Sequence, residues 1–267
     1  MDKVMLSEPV FRVQTYSGQS DQHLRNVHIY APSIIWVKSG VKTVFQESEQ
    51  FDIDSHSWLL TSANQGLNFI NKPSSTDNFY SVQMCFFLTP PKEMLEESQQ
   101  NESTRLHTHA ITVSPLLAYG FTFLTDTNTQ KLNFKTQQFH LLALYQQLAE
   151  LGVLHVLFSP TFASFQNELS AYFSKDPAEA YQLETVCDDF SISRATLIRR
   201  LQRDGTNFRT VLSNVRMSHA LGLMQEKKQS QLDLALQCGY QSESRFSQRF
   251  HQQFGMTPKQ YMKTVMH

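Results

Sequence analysis

A chain of 267 residues, 40% hydrophobic and 18% charged, has room for two domains that each bury a core. Its charge is uneven: residues 1–190 hold 11 Lys and Arg against 20 Asp and Glu, and residues 191–267 hold 12 against 4. Only the C-terminal part carries the field of a phosphate-binding surface, which excludes a general nucleic-acid coat. No basic start precedes an apolar run and no apolar stretch reaches membrane length, so a cytoplasmic protein is expected rather than a secreted or membrane one.

In chain order, short β-rich runs come first, at residues 10–13, 33–37, 41–45, 58–60, 67–70 and 80–88. Ser39-Gly40 reads as a hairpin turn between two of them. The irregular spacing and the aromatic residues suit a small barrel or sandwich, with Trp36, Phe69, Tyr80 and Phe86 as core. The chain breaks at Pro90-Pro91, and a polar stretch over residues 96–108 reads as a surface loop. His107 and His109, or His23 and His28, have no carboxylate or third His at a supporting spacing, so no metal site is expected. There is no Gly-rich phosphate loop and no Ser/His/Asp pattern, so neither a cofactor nor an enzyme activity is expected. Cys85, Cys187 and Cys238 show no paired spacing and read as reduced core thiols.

Residues 135–158 read as one amphipathic helix with a break near Gly152. Leu144, Leu148 and Leu151 form a seam at i, i+4, i+7. That seam either packs on its own barrel or joins two chains as a homodimer. A junction follows around residues 159–161.

Two helix-turn-helix patterns then stand in tandem, at residues 183–204 and 231–254. In the first, Ser193 is a good N-cap. Thr196, Arg199, Arg200 and Arg203 share one helix stripe, and Leu197 and Leu201 share the opposite one. In the second, Arg245, Gln248, Arg249 and Gln252 repeat the spacing, with Phe246, Phe250 and Phe254 as the buried face. Arg can read guanine or bind phosphate, and Gln can read adenine. The connector over residues 207–224 has a wide apolar face. Its roughly 27 Å length is near the 34 Å between groove segments one DNA turn apart. Arg209 and Arg216 read as surface or phosphate groups. The pair of matched polar faces points to a gene-regulatory protein that binds double-stranded DNA.

These residues resemble the DNA-binding module of the AraC/XylS family of transcription regulators. The resemblance covers about residues 162–261. It rests on Leu234-Ala235-Leu236-Gln237-Cys238-Gly239-Tyr240, on Phe246-Ser247-Gln248-Arg249-Phe250, and on Phe254-Gly255-Met256-Thr257-Pro258 with Tyr261. Ser193-Arg194-Ala195-Thr196-Leu197 and Arg199-Arg200-Leu201 carry it in the first unit. The stretch from Asp204 to Arg209 is similar to a subgroup with a shortened turn that includes virulence and stress regulators. Cys187 stands where a small Ala is common, Ser191 where Gly is frequent, and Gln248 where an Arg is frequent.

The resemblance implies an α+β protein. Residues 1–158 would form an effector-sensing or dimerisation domain, with a cupin-like β-barrel over about 1–110 and helices over about 111–158. Residues 161–267 would form an all-α DNA-binding domain of about seven helices. Carried over by position, the first reader uses Ala195, Thr196, Ile198, Arg199 and Arg203, with Arg200 on the same stripe. The second uses Glu243, Ser244, Arg245, Gln248 and Arg249. The resemblance further implies an activator of promoter DNA, with RNA polymerase as a partner. A small effector, a fatty acid in some relatives, would control it. Lys38, Lys227 and Lys228 are candidates to hold a carboxylate, with solvated lysines as the alternative. A different reading is a small-molecule-binding or enzymatic barrel whose helical module docks a protein.

Overall fold

The computed structural model describes residues 9–46, 49–101, 110–158, 164–226 and 229–265. Lys227, Lys228, His107, His109 and the expected junction at 159–161 lie outside them.

Among the described residues, nine strands make two antiparallel sheets. The first has β1 (Phe11–Gly18), β3 (Ser33–Ser39), β6 (Ser57–Thr61), β8 (Phe79–Phe86) and β9 (Ala110–Thr112), in the order β1-β8-β3-β6-β9. The second has β2 (Gln22–Ile29), β4 (Val41–Gln46), β5 (Glu49–Ile53) and β7 (Gln65–Lys72), in the order β2-β7-β4-β5. The α+β class is as expected, but the strands form two sheets rather than one closed barrel. The six expected strands are present, and β2, β5 and β9 join them. Residues 96–100, expected in a loop, belong to helix α1 (Lys92–Gln100); Lys92 and Glu96 pair across one turn of it.

The first sheet is covered on both faces, which explains the continuous burial of β3 from Ser33 to Val37. Side chains alternate along a strand. Ile34 and Trp36 of β3, Trp58 and Leu60 of β6, and Val82, Met84 and Phe86 of β8 share one core cluster. Their partners there are Leu117 and Phe121 of α2 (Pro115–Thr125) and Leu141, Tyr145 and Leu148 of α3 (Phe134–Glu150). Ile35, Val37 and Leu59 turn the other way, into a second cluster with Leu24, Val44 and Leu67 of the second sheet. Trp36, Phe69 and Phe86 are buried as expected. Tyr80 is not: it shares a face with Val82 and Met84, but at the end of the strand it stays 40% exposed.

Helix α3 ends as expected at Gly152, which takes a left-handed φ of 70°, and the short α4 (Leu154–Leu157) follows. Leu144 and Leu148 face their own sheet, at 2% and 0% exposure, while Leu151 is half exposed. The leucine seam is therefore core, because Trp58, Phe86 and Phe121 need that face to be covered.

Among the described residues seven helices follow, in line with the expected number: α5 (Phe165–Phe173), α6 (Leu183–Asp189), α7 (Arg194–Arg203), α8 (Phe208–Glu226), α9 (Gln231–Gln237), α10 (Glu243–Phe254) and α11 (Pro258–Thr264). They divide between two cores. Helices α5, α6, α7 and the first half of α8 form a cluster of their own through Phe165, Leu197, Leu201 and Val211. The second half of α8 and helices α9 to α11 share the cluster of the second sheet, through Leu221, Leu234, Phe250, Phe254 and Tyr261.

Candidate nucleic-acid interface

Each helix-turn-helix unit is built by the same local rules. Helix α6 ends with Ile192 N–H donating to Cys187 O at 3.0 Å and Ser191 N–H to Asp188 O at 3.0 Å. Helix α9 ends with Tyr240 N–H donating to Ala235 O at 2.8 Å and Gly239 N–H to Leu236 O at 2.9 Å. Both are helix stops that need a left-handed residue. The second supplies Gly239 at φ 72°, and the first forces Ser191 to φ 52°. The next helix starts on a serine cap in both units: Ser193 Oγ accepts from Thr196 N–H at 3.2 Å, and Ser242 Oγ from Arg245 N–H at 3.4 Å.

The caps aim each second helix so that its apolar stripe is buried and its polar stripe is open. On α7, Leu197 and Leu201 are buried, while Ala195, Ile198, Arg199 and Arg203 are exposed. Thr196 is half-buried, with its hydroxyl 2.9 Å from that of Ser193. Arg200 is also half-buried, and its guanidinium lies 5.2 Å from the Phe165 ring centroid. On α10, Phe246, Phe250 and Phe254 are buried, while Glu243, Ser244, Arg245, Gln248 and Gln252 are exposed. Arg249 departs from that stripe: its Nε donates to Ser213 Oγ of α8 at 2.5 Å and its Nη2 to Gln253 Oε1 at 3.3 Å.

The first reader is steadied from behind. Asp204 Oδ2 accepts from Gln166 N–H in the first turn of α5 at 2.9 Å, a favourable place for a carboxylate. Tyr172 of α5 donates its hydroxyl proton to Asp189 of α6, and that bond pushes the phenol up to about 12.

Helix α8 joins the two units, its 19 residues spanning roughly 28 Å. Arg216 sits in its middle, half-buried. Its Nε donates to Pro177 O at 3.0 Å and its Nη2 to Glu179 O at 2.8 Å, in the loop between α5 and α6. Its guanidinium lies 5.7 Å from the Tyr240 ring centroid. A Cβ on Gly239 would fall 2.5 Å from Nη2. One side chain thus ties the first unit to the turn of the second, a role the sequence reading as a surface or phosphate group missed. Its spacing from Val215 and Met217 gave no signal, because the partners are carbonyls of a remote loop.

The effector candidates fare differently. Lys38 is half-buried with its Nζ 2.8 Å from the Trp36 ring centroid, and burial lowers it to about 8. It does not line the cavity between the sheets; Lys42 does. Lys42 is 3% exposed. Its Nζ donates to Asn71 Oδ1 at 2.5 Å and lies 3.5 Å from the Phe69 ring centroid. Burial lowers its ammonium to about 7. Its signal was present in the sequence: Lys42 alternates with Val44, on the inward face of β4. The cavity is narrow, with about 40 Å³ open to a water-sized group. Tyr16, Ser81 and Gln83 of the first sheet form one wall, and Leu221 of α8 with Tyr261 of α11 form another. Ser81 Oγ is buried with no hydrogen-bond partner among the described residues.

Among the described residues, no group of three or more His, Cys, Asp or Glu could hold a metal, and no helix is long and apolar enough to cross a membrane. Cys85, Cys187 and Cys238 are buried free thiols.

Residues 186–264 match the family described as a helix-turn-helix domain. The transcriptional activator CsvR of Escherichia coli is 29% identical over 109 residues, 41% of each chain. The transcriptional regulator YdeO of E. coli K12 is 37% identical over 87 residues, 33% of this chain and 34% of its own. The matches thus span well under half the length of these relatives. ToxT of Vibrio cholerae shares the fold across nearly the whole chain: at 15% identity it matches with a TM-score of 0.62 over 96% of this chain and 98% of its own. Another ToxT structure, bound to an unsaturated fatty acid, matches at 14% identity and a TM-score of 0.62, over 96% of both chains. Residues 186–264 of this chain thus form a helix-turn-helix domain similar to that of these transcription regulators, in line with the resemblance to the AraC/XylS module read from the sequence.

Proposed function

We propose that this protein is a sequence-specific transcription regulator of the cytoplasm, an activator like the relatives it matches. Its DNA-binding half would answer to a small effector held by the N-terminal half. The reading rests on one observation: two capped helices with open polar stripes are mounted on the single helix α8 and tied together by Arg216. Two such helices suit two successive major-groove segments. No catalytic step belongs to this reading. In the proposed division, residues 1–158 sense and residues 161–267 bind DNA.

Within the first reader, Ala195, Ile198 and Arg199 contact bases, while Arg203, beside Asp204 at the helix end, contacts phosphate. Within the second, Glu243, Ser244, Arg245 and Gln248 read bases. Arg249 holds the helix to α8 through Ser213. Thr196 and Arg200, half-buried, support α7 more than they read. A homodimer, where the DNA site is paired, would use the exposed Leu116, Tyr119 and Phe139 of α2 and α3.

The effector is an apolar carboxylic acid with its carboxylate on Lys42. Lys42 is a buried amine in a cavity that no carboxylate lines among the described residues, and the Ser81 hydroxyl in the same cavity has no hydrogen-bond partner among them; together they support that chemistry. The fatty acid bound to ToxT is of the same class.

Footprinting the full chain on its best duplex tests the DNA reading. Two protected segments about one turn apart are expected, and a single protected segment refutes it. Arg199→Ala should cost about 1–3 kcal/mol and relax preference at one base pair. Arg203→Ala should weaken all duplexes alike and flatten the salt dependence.

A further inference from the structure

Four buried polar side chains run in file from the cavity to the last helix. Lys42 Nζ donates to Asn71 Oδ1 at 2.5 Å. Asn71 Nδ2 donates to Gln22 Oε1 at 2.9 Å. Gln22 Nε2 donates to Thr264 Oγ1 of α11 at 3.0 Å and to Ser17 O at 2.9 Å. Thr264 Oγ1 donates in turn to Tyr261 O at 2.6 Å. All four residues are under 10% exposed. Every donor points the same way, so each bond polarises the next.

The file ends where the two halves are bolted together. Gln19 N–H of the β1–β2 turn donates to Thr264 O at 2.7 Å, and Gln19 Nε2 to Lys263 O at 2.9 Å. Ser17 N–H donates to Gln225 Oε1 of α8 at 2.8 Å, and Gln225 Nε2 donates to Tyr261 OH at 2.7 Å. The turn over residues 17–22 therefore grips the ends of both α8 and α11. Those helices carry α10, whose buried Phe250 and Phe254 share the same core as the sheet.

We infer that the Lys42–Asn71–Gln22–Thr264 file is the route by which the cavity sets the position of the second reader helix. This rests on the effector reading above. A carboxylate in the cavity draws the Lys42 amine away from Asn71. As it stands the cavity has room for only a water or two, so a larger occupant must widen it by displacing Leu221 and Tyr261. Asn71 then loses its donor, Gln22 loses its fixed orientation, and Thr264 loses one of the bonds that hold α11 to the turn. The first reader packs in a separate core, so the shift is taken up along α8 and at the Arg216 contacts that join the two units. The effector changes the angle between the readers rather than either reading face.

A double-variant cycle on the full chain tests this without any ligand. Affinity for the two-segment duplex is measured for Lys42→Met, Thr264→Val and the double variant, with Lys38→Met as control and circular dichroism melting as the check on folding. About a fivefold change is expected for each single variant, no further change in the double variant, and none for Lys38→Met. Effects that multiply to about 25-fold, or a Lys42→Met variant that binds like wild type, overturn the route. Decanoate separates this from the effector reading. It should bind Thr264→Val at least as tightly as wild type by calorimetry, since the variant has already given up the bond the ligand breaks, but change DNA affinity only in wild type. An equal change in both proteins overturns the route. If decanoate does not bind wild type, the effector reading falls, and the cycle still decides the route.

Discussion

Replacing Lys42 by Met exchanges a buried amine for an apolar chain of similar volume. The titratable groups that line the cavity with Lys42 are Tyr16 and Tyr261, and no carboxylate among the described residues lines it. Burial lowers the ammonium from 10.5 to about 7. A base with a lower value folded than unfolded binds more protons when unfolded, so stability rises with pH between the two values. At about 1.4 kcal/mol per pH unit, the interval from 10.5 to about 7 amounts to on the order of 5 kcal/mol. That stability is present in full above pH 10.5 and lost as pH falls to 7. The Met variant escapes the loss but leaves Asn71 Oδ1 without its donor, at about 1–3 kcal/mol. Met should therefore be the more stable protein at pH 6, by roughly 2–4 kcal/mol, and the less stable one at pH 10. Urea denaturation of both proteins from pH 6 to 10 measures this as two curves that cross. Curves that stay parallel would refute a neutralised, buried Lys42.

The two helix-turn-helix turns make a matched pair of further tests. Ser191→Gly relieves the left-handed φ of 52° and should stabilise the fold by about 0.5–1 kcal/mol, read as a higher melting temperature. Gly239→Ala should destabilise by about 2 kcal/mol or more, because its Cβ would meet Arg216 Nη2 at 2.5 Å and Ala178 O at 2.9 Å; an unchanged melting temperature would count against the Arg216 bracket. Leu148→Glu places a charge at a position with no exposure and should unfold the protein rather than produce a folded monomer. Sedimentation beside circular dichroism distinguishes the two, and a folded, monomeric variant of a dimeric wild type would restore the leucine seam as an interface.

The helix-turn-helix units were legible because their rules are local. A serine cap, an i, i+3, i+4 stripe and a left-handed stop are set within about 20 residues, and Ser193, Phe246 and Gly239 each declare one of them. The strands were legible where apolar residues run together, as in β3 and β8. Strand β2 was not: its sequence QHLRNVHI mixes polar side chains into both faces, and a bulge between Leu24 and Val27, with Asn26 at φ 51°, breaks the alternation. The seam of α3 was ambiguous for a related reason. Leu144 and Leu148 need an apolar partner, and sequence alone does not say whether that partner is the chain's own Trp58 and Phe121 or a second copy. Arg216 lay beyond reach because the carbonyls it binds are 37 and 39 residues away in the chain, whereas Lys42 showed its inward register beside Val44 but not its partner Asn71, 29 residues on.

The shared core of the second sheet and helices α9 to α11 bears on how such proteins can be recombined. A chimera that grafts residues 161–267 onto a foreign sensor carries an intact first reader, since Phe165, Leu197, Leu201 and Val211 travel together. The second reader arrives with Leu221, Phe254 and Tyr261 stripped of Leu24, Val44 and Leu67. Transplants should therefore keep half the recognition surface and lose the other half unless the inner face of the second sheet is moved with it. The heritable unit of DNA recognition here is larger than the helix-turn-helix segment, and sequence drift in β2, β4 and β7 is constrained by a groove that those strands never need to touch.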